Sequence, residues 1–324
     1  MPMQLKITLL GSVSFHKEKK QVEGLPSRAA EALFIYLACH QKPVTREKLA
    51  ELLWADRSST QGLTNLRTIL TSLRRELEDY LVISRDALAF NTEGNYWLDV
   101  EEFEKHLKEI GLPERGSISN AEAAAKLQSA MDLYQGDFLE GFYLRDGLGF
   151  EEWTILQRER LKRFARDGFR LLSSYYLETG NYFAGEQSAS QWLRLDPYDE
   201  DACSTQMWLF IRTGQRSSAL QSYQNLKDKL QQDLGVTPST VTTDLFRKFQ
   251  QINFPPATTL PLYSTSFLGR RQEMEDLERL LVSKGTRLVT IAGQGGIGKT
   301  RLAVEAVRFL MERKPGRFLN GAAF

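Results

Sequence analysis

The chain has 324 residues, a net charge of +1, 42% hydrophobic residues and 26% charged ones. This is ordinary globular composition at a length that suggests two or three domains. No run approaches the ~20 apolar residues of a membrane span, and Met1-Pro-Met-Gln-Leu-Lys-Ile lacks the basic and apolar regions of a secretory leader, so a cytoplasmic protein without a membrane partner is expected. The two cysteines, Cys39 and Cys203, lie far apart among apolar residues and read as buried free thiols. Charge is segregated: 13 basic against 12 acidic residues in 1–100, 18 against 23 in 101–253, and 11 against 6 in 254–324. The sharpest patch, Arg57–Arg75, holds four arginines and no acid, an electrostatic footprint suited to phosphates.

Residues 4–22 alternate like short strands, with Leu5, Ile7 and Leu9 on one face, Val13 and Phe15 after Gly11, and a polar turn at His16–Lys20. Pro26-Ser-Arg opens a helix whose apolar stripe is Ala29, Ala30, Leu33, Phe34 and Leu37, ending near His40. Thr45 caps a second, short helix carrying Leu49, Leu52, Leu53 and Trp54 inward, its hydroxyl accepting from the amide near Lys48. A third, longer helix runs from about Ser58 to Glu78. Strand character returns at Leu81–Ile83, Ala87–Phe90 and Tyr96–Leu98, with turns at Ser84–Asp86 and Asn91–Asn95. Strand pair, three helices and hairpin together give a winged helix-turn-helix over residues 1–100.

On the third helix, Leu63, Leu66, Leu70, Leu73 and Leu77 fall in one narrow arc with Ile69 at its edge. Gln61, Thr64, Asn65, Thr68, Ser72 and Arg75 fall opposite, Thr71 beside them, and Arg67 and Arg74 form a flanking row. Uncharged hydrogen-bonding groups plus arginines, with no carboxylate before Glu76, suit the major groove: Asn and Gln pair with adenine edges, Arg with guanine or phosphate. An ordinary solvated face would mix Glu with Lys. Arg85, in the wing turn, is a further candidate for phosphate or the minor groove.

From Asp99 to about Ile252 the pattern is helical. Gly180 is followed by Pro197, and Gly214 lies 34 residues after Gly180, the tetratricopeptide period. Gly214, Ala219, Leu220 and Tyr223 fit the positions where paired helices cross, whereas Gly185 stands where Ala219 would align, a substitution expected to loosen that helix contact. His106, in an acidic helix start, reads as a solvated side chain rather than a catalytic one. The domain's net negative charge argues against its gripping DNA backbone, and scaffolding is its expected work.

Residues 1–253 resemble the SARP-type bacterial regulators, which join an OmpR-like winged helix to a bacterial transcriptional activation domain of tetratricopeptide-like helices. The resemblance rests on Leu66-Arg67…Leu73-Arg74-Arg75…Leu77, on Leu133–Gly141 followed by Glu151-Glu-Trp153 and Arg158-Glu-Arg-Leu161, and on Leu195-Asp-Pro197, Gly214…Tyr223 and Leu234–Ser239. It implies binding of double-stranded DNA at direct repeats near promoters and contact with RNA polymerase, as an activator. The helical domain would serve a partner or a second copy of the chain.

Residues 254–264, opening on Phe254-Pro-Pro-Ala, read as a linker. Beyond it Thr286–Ala292 is expected as a buried strand, followed by Gly293-Gln-Gly-Gly-Ile-Gly-Lys-Thr300 and a helix over Arg301–Glu312. This is the phosphate-binding G-x-x-x-x-G-K-[ST] pattern: Gly293, Gly295, Gly296 and Gly298 free the backbone amides, Lys299 reaches the β- and γ-phosphates, and Thr300 holds Mg²⁺. Phe267-Leu-Gly-Arg-Arg-Gln-Glu resembles the entry segment of signal-transduction ATPases with numerous domains, which implies Arg270 as an adenine-side contact. Residues 265–324 hold only the start of an α/β P-loop domain, without the second-strand acid that hydrolysis needs. The chain is thus expected to be mostly α, and to bind ATP or ADP with Mg²⁺ rather than to act as an enzyme. The competing readings are a P-loop signalling NTPase regulated by the N-terminal domains, and a repeat scaffold without DNA binding.

Overall fold

The computed structural model describes residues 4–17, 20, 21, 25, 27–112, 118, 120–252, 258–263, 265, 267–283, 285–313, 318 and 321–324. Two compact units result, Met1–Leu172 and Ser173–Phe324. Pro26 and much of the Phe254-Pro-Pro-Ala linker lie outside the described residues.

In the first unit, β1 (Leu5–Thr8), β2 (Ser14–Lys17) and β3 (Lys20–Gln21) form an antiparallel meander. Leu5, Ile7 and Phe15 point to the buried face as their period-two spacing requires. Next come α1 (Arg28–His40), β4 (Val44–Thr45), α2 (Arg46–Leu53) and α3 (Ser59–Leu77). Each helix starts on a hydroxyl cap: Ser27 accepts from the Ala30 amide, Thr45 from that of Lys48, and Ser58 from that of Gln61. A single 3₁₀ turn follows α3, then β5 (Leu81–Ile83) and β6 (Ala87–Phe90) make the wing hairpin, with β4 completing a three-stranded sheet in the order β4-β6-β5. The third predicted strand, β7 (Tyr96–Leu98), leaves the hairpin and pairs parallel with β1 at the edge of the other sheet. Such pairing between chain-distant strands has no local sequence signal.

The unit does not stop at the winged helix. β7 runs directly into α4 (Asp99–Glu109), which is followed by α5 (Ala121–Leu133) and the long α6 (Leu148–Thr179). Asp99, 1% exposed, accepts from the Leu9 and Leu10 amides at 2.7 and 2.8 Å through one oxygen, and from the Val100 amide through the other. Leu10 and Phe138 make a bridge, Tyr36 packs edge-on against Trp153, and Gly149 lies against the backbone of Leu52. One continuous core therefore holds the winged helix and the helices after it.

In the second unit, α7 (Tyr182–Leu195), α8 (Glu200–Arg212), α9 (Arg216–Leu234) and α10 (Thr240–Gln251) pack as successive hairpins. Gly180 and Gly214 adopt left-handed φ of 85° and 80° at the turns 34 residues apart. Gly185 does not loosen its contact: a methyl there would fall 2.6 Å from a Leu209 methyl and 3.2 Å from the Tyr176 Cβ. The large Leu209 occupies the room an alanine would take. Cys203 is buried, Cys39 only partly so, and both are free.

Residues 265–313 supply α11 (Arg271–Val282) and α12 (Lys299–Arg313), which close over Leu277, Leu302 and Ala306 with Val289 and Ile291 half-buried beside them. The expected buried strand Thr286–Ala292 is not one: Leu288 is 84% exposed and no ladder forms, because no described segment lies alongside to pair with it.

Candidate nucleic-acid interface

The site is built on α3. Leu66, Leu70, Leu73 and Leu77 are buried, with Leu63 and Ile69 half-buried at the margin of the arc. Gly62 lets α3 meet α2 closely, since a methyl there would stand 3.2 Å from that of Ala50. The opposite face is presented to solvent: Gln61, Thr64, Arg67, Thr68, Thr71, Arg74 and Arg75 are exposed, Asn65 and Ser72 half-exposed.

The threonines are already partly engaged. Thr64, Thr68 and Thr71 donate their hydroxyl protons to the carbonyls of Thr60, Thr64 and Arg67 one turn back, at 2.9, 3.2 and 3.1 Å. Their oxygens remain acceptors and their methyls are free for apolar contact, but they are not free donors. Arg75 is paired with Glu76 at 3.0 Å, whereas Arg67 and Arg74 make no ion pair among the described residues. Arg57 counts less toward the patch than its charge suggests, since Asp146 stands 3.9 Å away.

Arg85 is exposed at the wing turn. The turn is braced by Arg46, a residue the sequence reading passed over: its amide donates to the Asp86 carbonyl at 3.1 Å and its guanidinium to that of Ser84 at 2.9 Å. Ser84 and Ala87 close the hairpin with two further bonds. At the other end of α3, the Lys17 ammonium donates to the Glu76 carbonyl and lies over the Tyr80 ring. Helix and wing are thus each fixed to the scaffold by a cation.

His106 is not fully solvated as expected; its Nδ1 is buried without a partner. No group of three metal-binding side chains exists among the described residues, and no described helix is long and apolar enough to cross a membrane.

In the glycine-rich loop, Gly296 and Gly298 take left-handed φ of 76° and 86°, and a Cβ at Gly295, Gly296 or Gly298 would meet nothing within 4 Å. The Lys299 ammonium folds back onto the Gly293 and Gln294 carbonyls at 2.9 and 2.8 Å, and Thr300 is exposed beside it at the start of α12. Arg270, itself left-handed at φ 53°, donates to the Ile297 carbonyl within the loop. The loop thus stands at the start of α12 with Lys299 bonded to two of its carbonyls.

Residues 98–250 match the family described as the bacterial transcriptional activator domain. With the winged helix before it, this match makes the chain similar in arrangement to the SARP-type regulators. The regulatory protein AfsR of Streptomyces griseus is 24% identical over 93% of this chain and 32% of its own length. The regulatory protein DnrI of Streptomyces peucetius is 27% identical over 72% of this chain and 88% of its own. The chain thus spans about a third of the one relative and most of the other. A structure of Mycobacterium tuberculosis EmbR in complex with a low-affinity phosphopeptide shares the fold, with a TM-score of 0.56, 17% identity, and coverage of 76% of this chain and 65% of that one.

Proposed function

We propose that this SARP-type chain is a transcriptional activator that reads the DNA major groove with α3. Asn65 and Gln61 would take adenine edges, Arg67, Arg74 and Arg75 guanine or phosphate, and Arg85 the phosphate or minor groove beside the wing. The observation that carries this is one exposed helix face with uncharged polar groups and two arginines without an ion pair among the described residues, backed by four buried leucines. The likeness to AfsR and DnrI, both regulatory proteins, supports it. Contact with RNA polymerase, through the activator domain, is part of the same proposal. The test is duplex binding at several salt concentrations by the chain and by an Arg67→Ala/Arg74→Ala variant. Salt-steep binding weakened at least about tenfold in the variant supports the reading; a folded chain that ignores duplex even at low salt would remove it.

The loop at 293–300 supports a second role in the same protein, binding of ATP or ADP with Mg²⁺. Lys299 would meet the terminal phosphates, Thr300 the metal ion, and Gly295, Gly296 and Gly298 would turn their amides inward. Bound nucleotide would act as a signal carrier rather than a substrate of this chain.

A further inference from the structure

The activator domain's net negative charge hides a local concentration of cations on α6. Of its six basic residues between Arg158 and Arg170, two are spent on structure. Arg158 donates to the Phe138 and Leu139 carbonyls, and Arg160 binds Glu104 at 2.6 Å and Gln157. The other four, Lys162, Arg163, Arg166 and Arg170, form no ion pair among the described residues. Arg163 and Arg170 are exposed, Lys162 and Arg166 half-exposed. At 3.6 residues per turn these four lie within an arc of about 100°, with Glu159 the one carboxylate inside it over that stretch. Arg163 lies over the Phe164 ring and Asp167 stands just outside the arc, but none of the four cations is neutralised by an ion pair among the described residues.

The start of α6 lies beside the elements that present α3. Its first turn is seated on the helix-turn-helix: a Cβ on Gly149 would stand 3.1 Å from the Leu52 Cα, and Asp146 stands 3.9 Å from Arg57 at the turn between α2 and α3. From Gly149 the helix carries its cations about 20 to 32 Å away along its axis, a length equal to about six to nine base pairs of duplex. Lys162, Arg166 and Arg170 succeed one another every four residues, steps of about 6 Å, close to two phosphate intervals of about 3.4 Å on one strand.

We propose that this stripe is a second phosphate-contacting surface, which grips the DNA backbone flanking the segment read by α3. The proposal rests on the DNA-binding reading above. It makes the activator domain part of the DNA footprint and lengthens that footprint on one side without adding sequence information.

The experiment uses the full chain and a duplex it selects from a random-sequence pool, in two forms: the selected core alone, and the core with about ten added base pairs on each side. The wild-type chain is compared with Lys162→Gln/Arg166→Gln/Arg170→Gln, whose glutamines keep helix propensity. The expected result has two parts. Flanks tighten wild-type binding and steepen its salt dependence, and the triple variant binds the core like wild type but loses the gain from the flanks, its slope of log affinity on log salt falling by about 2 to 3. Wild-type binding that is indifferent to flanks would overturn the proposal whatever the variant does. So would a variant whose slope on the long duplex matches wild type. Failure to enrich any duplex would instead remove the DNA-binding reading itself, and the stripe's role with it.

Discussion

Asp99 shows how much one buried side chain can decide. Burial raises its carboxyl to about 6, against the pull of the amides of Leu10, Leu9 and Val100 toward the charged form. The folded value lies above the unfolded one of about 3.9. Its contribution to stability is therefore fully present below about pH 4 and is lost as pH rises through about 6. Replacement by asparagine removes that dependence and also turns an NH₂ donor toward an amide N–H, an unmade bond costing about 1 to 3 kcal/mol. Urea unfolding between pH 4 and 7 should show Asp99→Asn less stable at pH 4, with the gap to wild type narrowing toward pH 7; a gap constant across the range would disprove the assignment. The glycines make a sterner case. Gly149→Ala presses a methyl on backbone that cannot step aside, and should cost about 1 to 3 kcal/mol despite the better helix propensity of alanine. Gly185→Ala meets the flexible end of the buried Leu209, and the double variant with Leu209→Ala should lose less in thermal unfolding than the sum of the two single losses. Both substitutions are checked by unfolding midpoints.

At the scale of the element, α3 was legible because two periodicities agree on it: leucines at helical spacing for the core, and a polar complement without acids. Its length and the burial of Leu66, Leu70, Leu73 and Leu77 match that expectation, while Leu63 is only half-buried. Leu66→Ala should cost about 2 to 5 kcal/mol, as emptied core sites do, and Ser58→Ala about 1 kcal/mol; equal, small effects in denaturant melts would mean that the helix is not backed as described. The partners of its exposed face were not legible. That Thr64, Thr68 and Thr71 turn their protons onto carbonyls depends on rotamers, and that Arg57 is drawn to Asp146 depends on contacts made 89 residues apart. The parallel pairing of β7 with β1 is invisible for the same reason. Arg46 left a weak sign, since it directly follows the Thr45 cap of a helix packed beside a hairpin.

For the whole molecule, charge counted by segment hides local surfaces, since a net of five acids over 101–253 coexists with six basic residues between Arg158 and Arg170. A similar gap between pattern and partner governs the C-terminal piece. Its loop reads clearly in sequence because glycine, lysine and threonine spacing is local, while the strand before it does not form for want of a described neighbour. Nucleotide binding there makes a prediction independent of DNA. A ligand that binds only the folded state stabilises it in proportion to the logarithm of its excess over Kd, by about 2.7 kcal/mol at a hundredfold excess. Mg²⁺ with ADP at millimolar concentration should raise the thermal unfolding midpoint of the full chain. Lys299→Ala should abolish the rise while leaving duplex affinity unchanged, because among the described residues Lys299 bonds only to its own loop at Gly293 and Gln294. A wild-type midpoint indifferent to nucleotide would leave the loop as a glycine-rich turn whose lysine serves only to close it, and would leave the reading of α3 untouched.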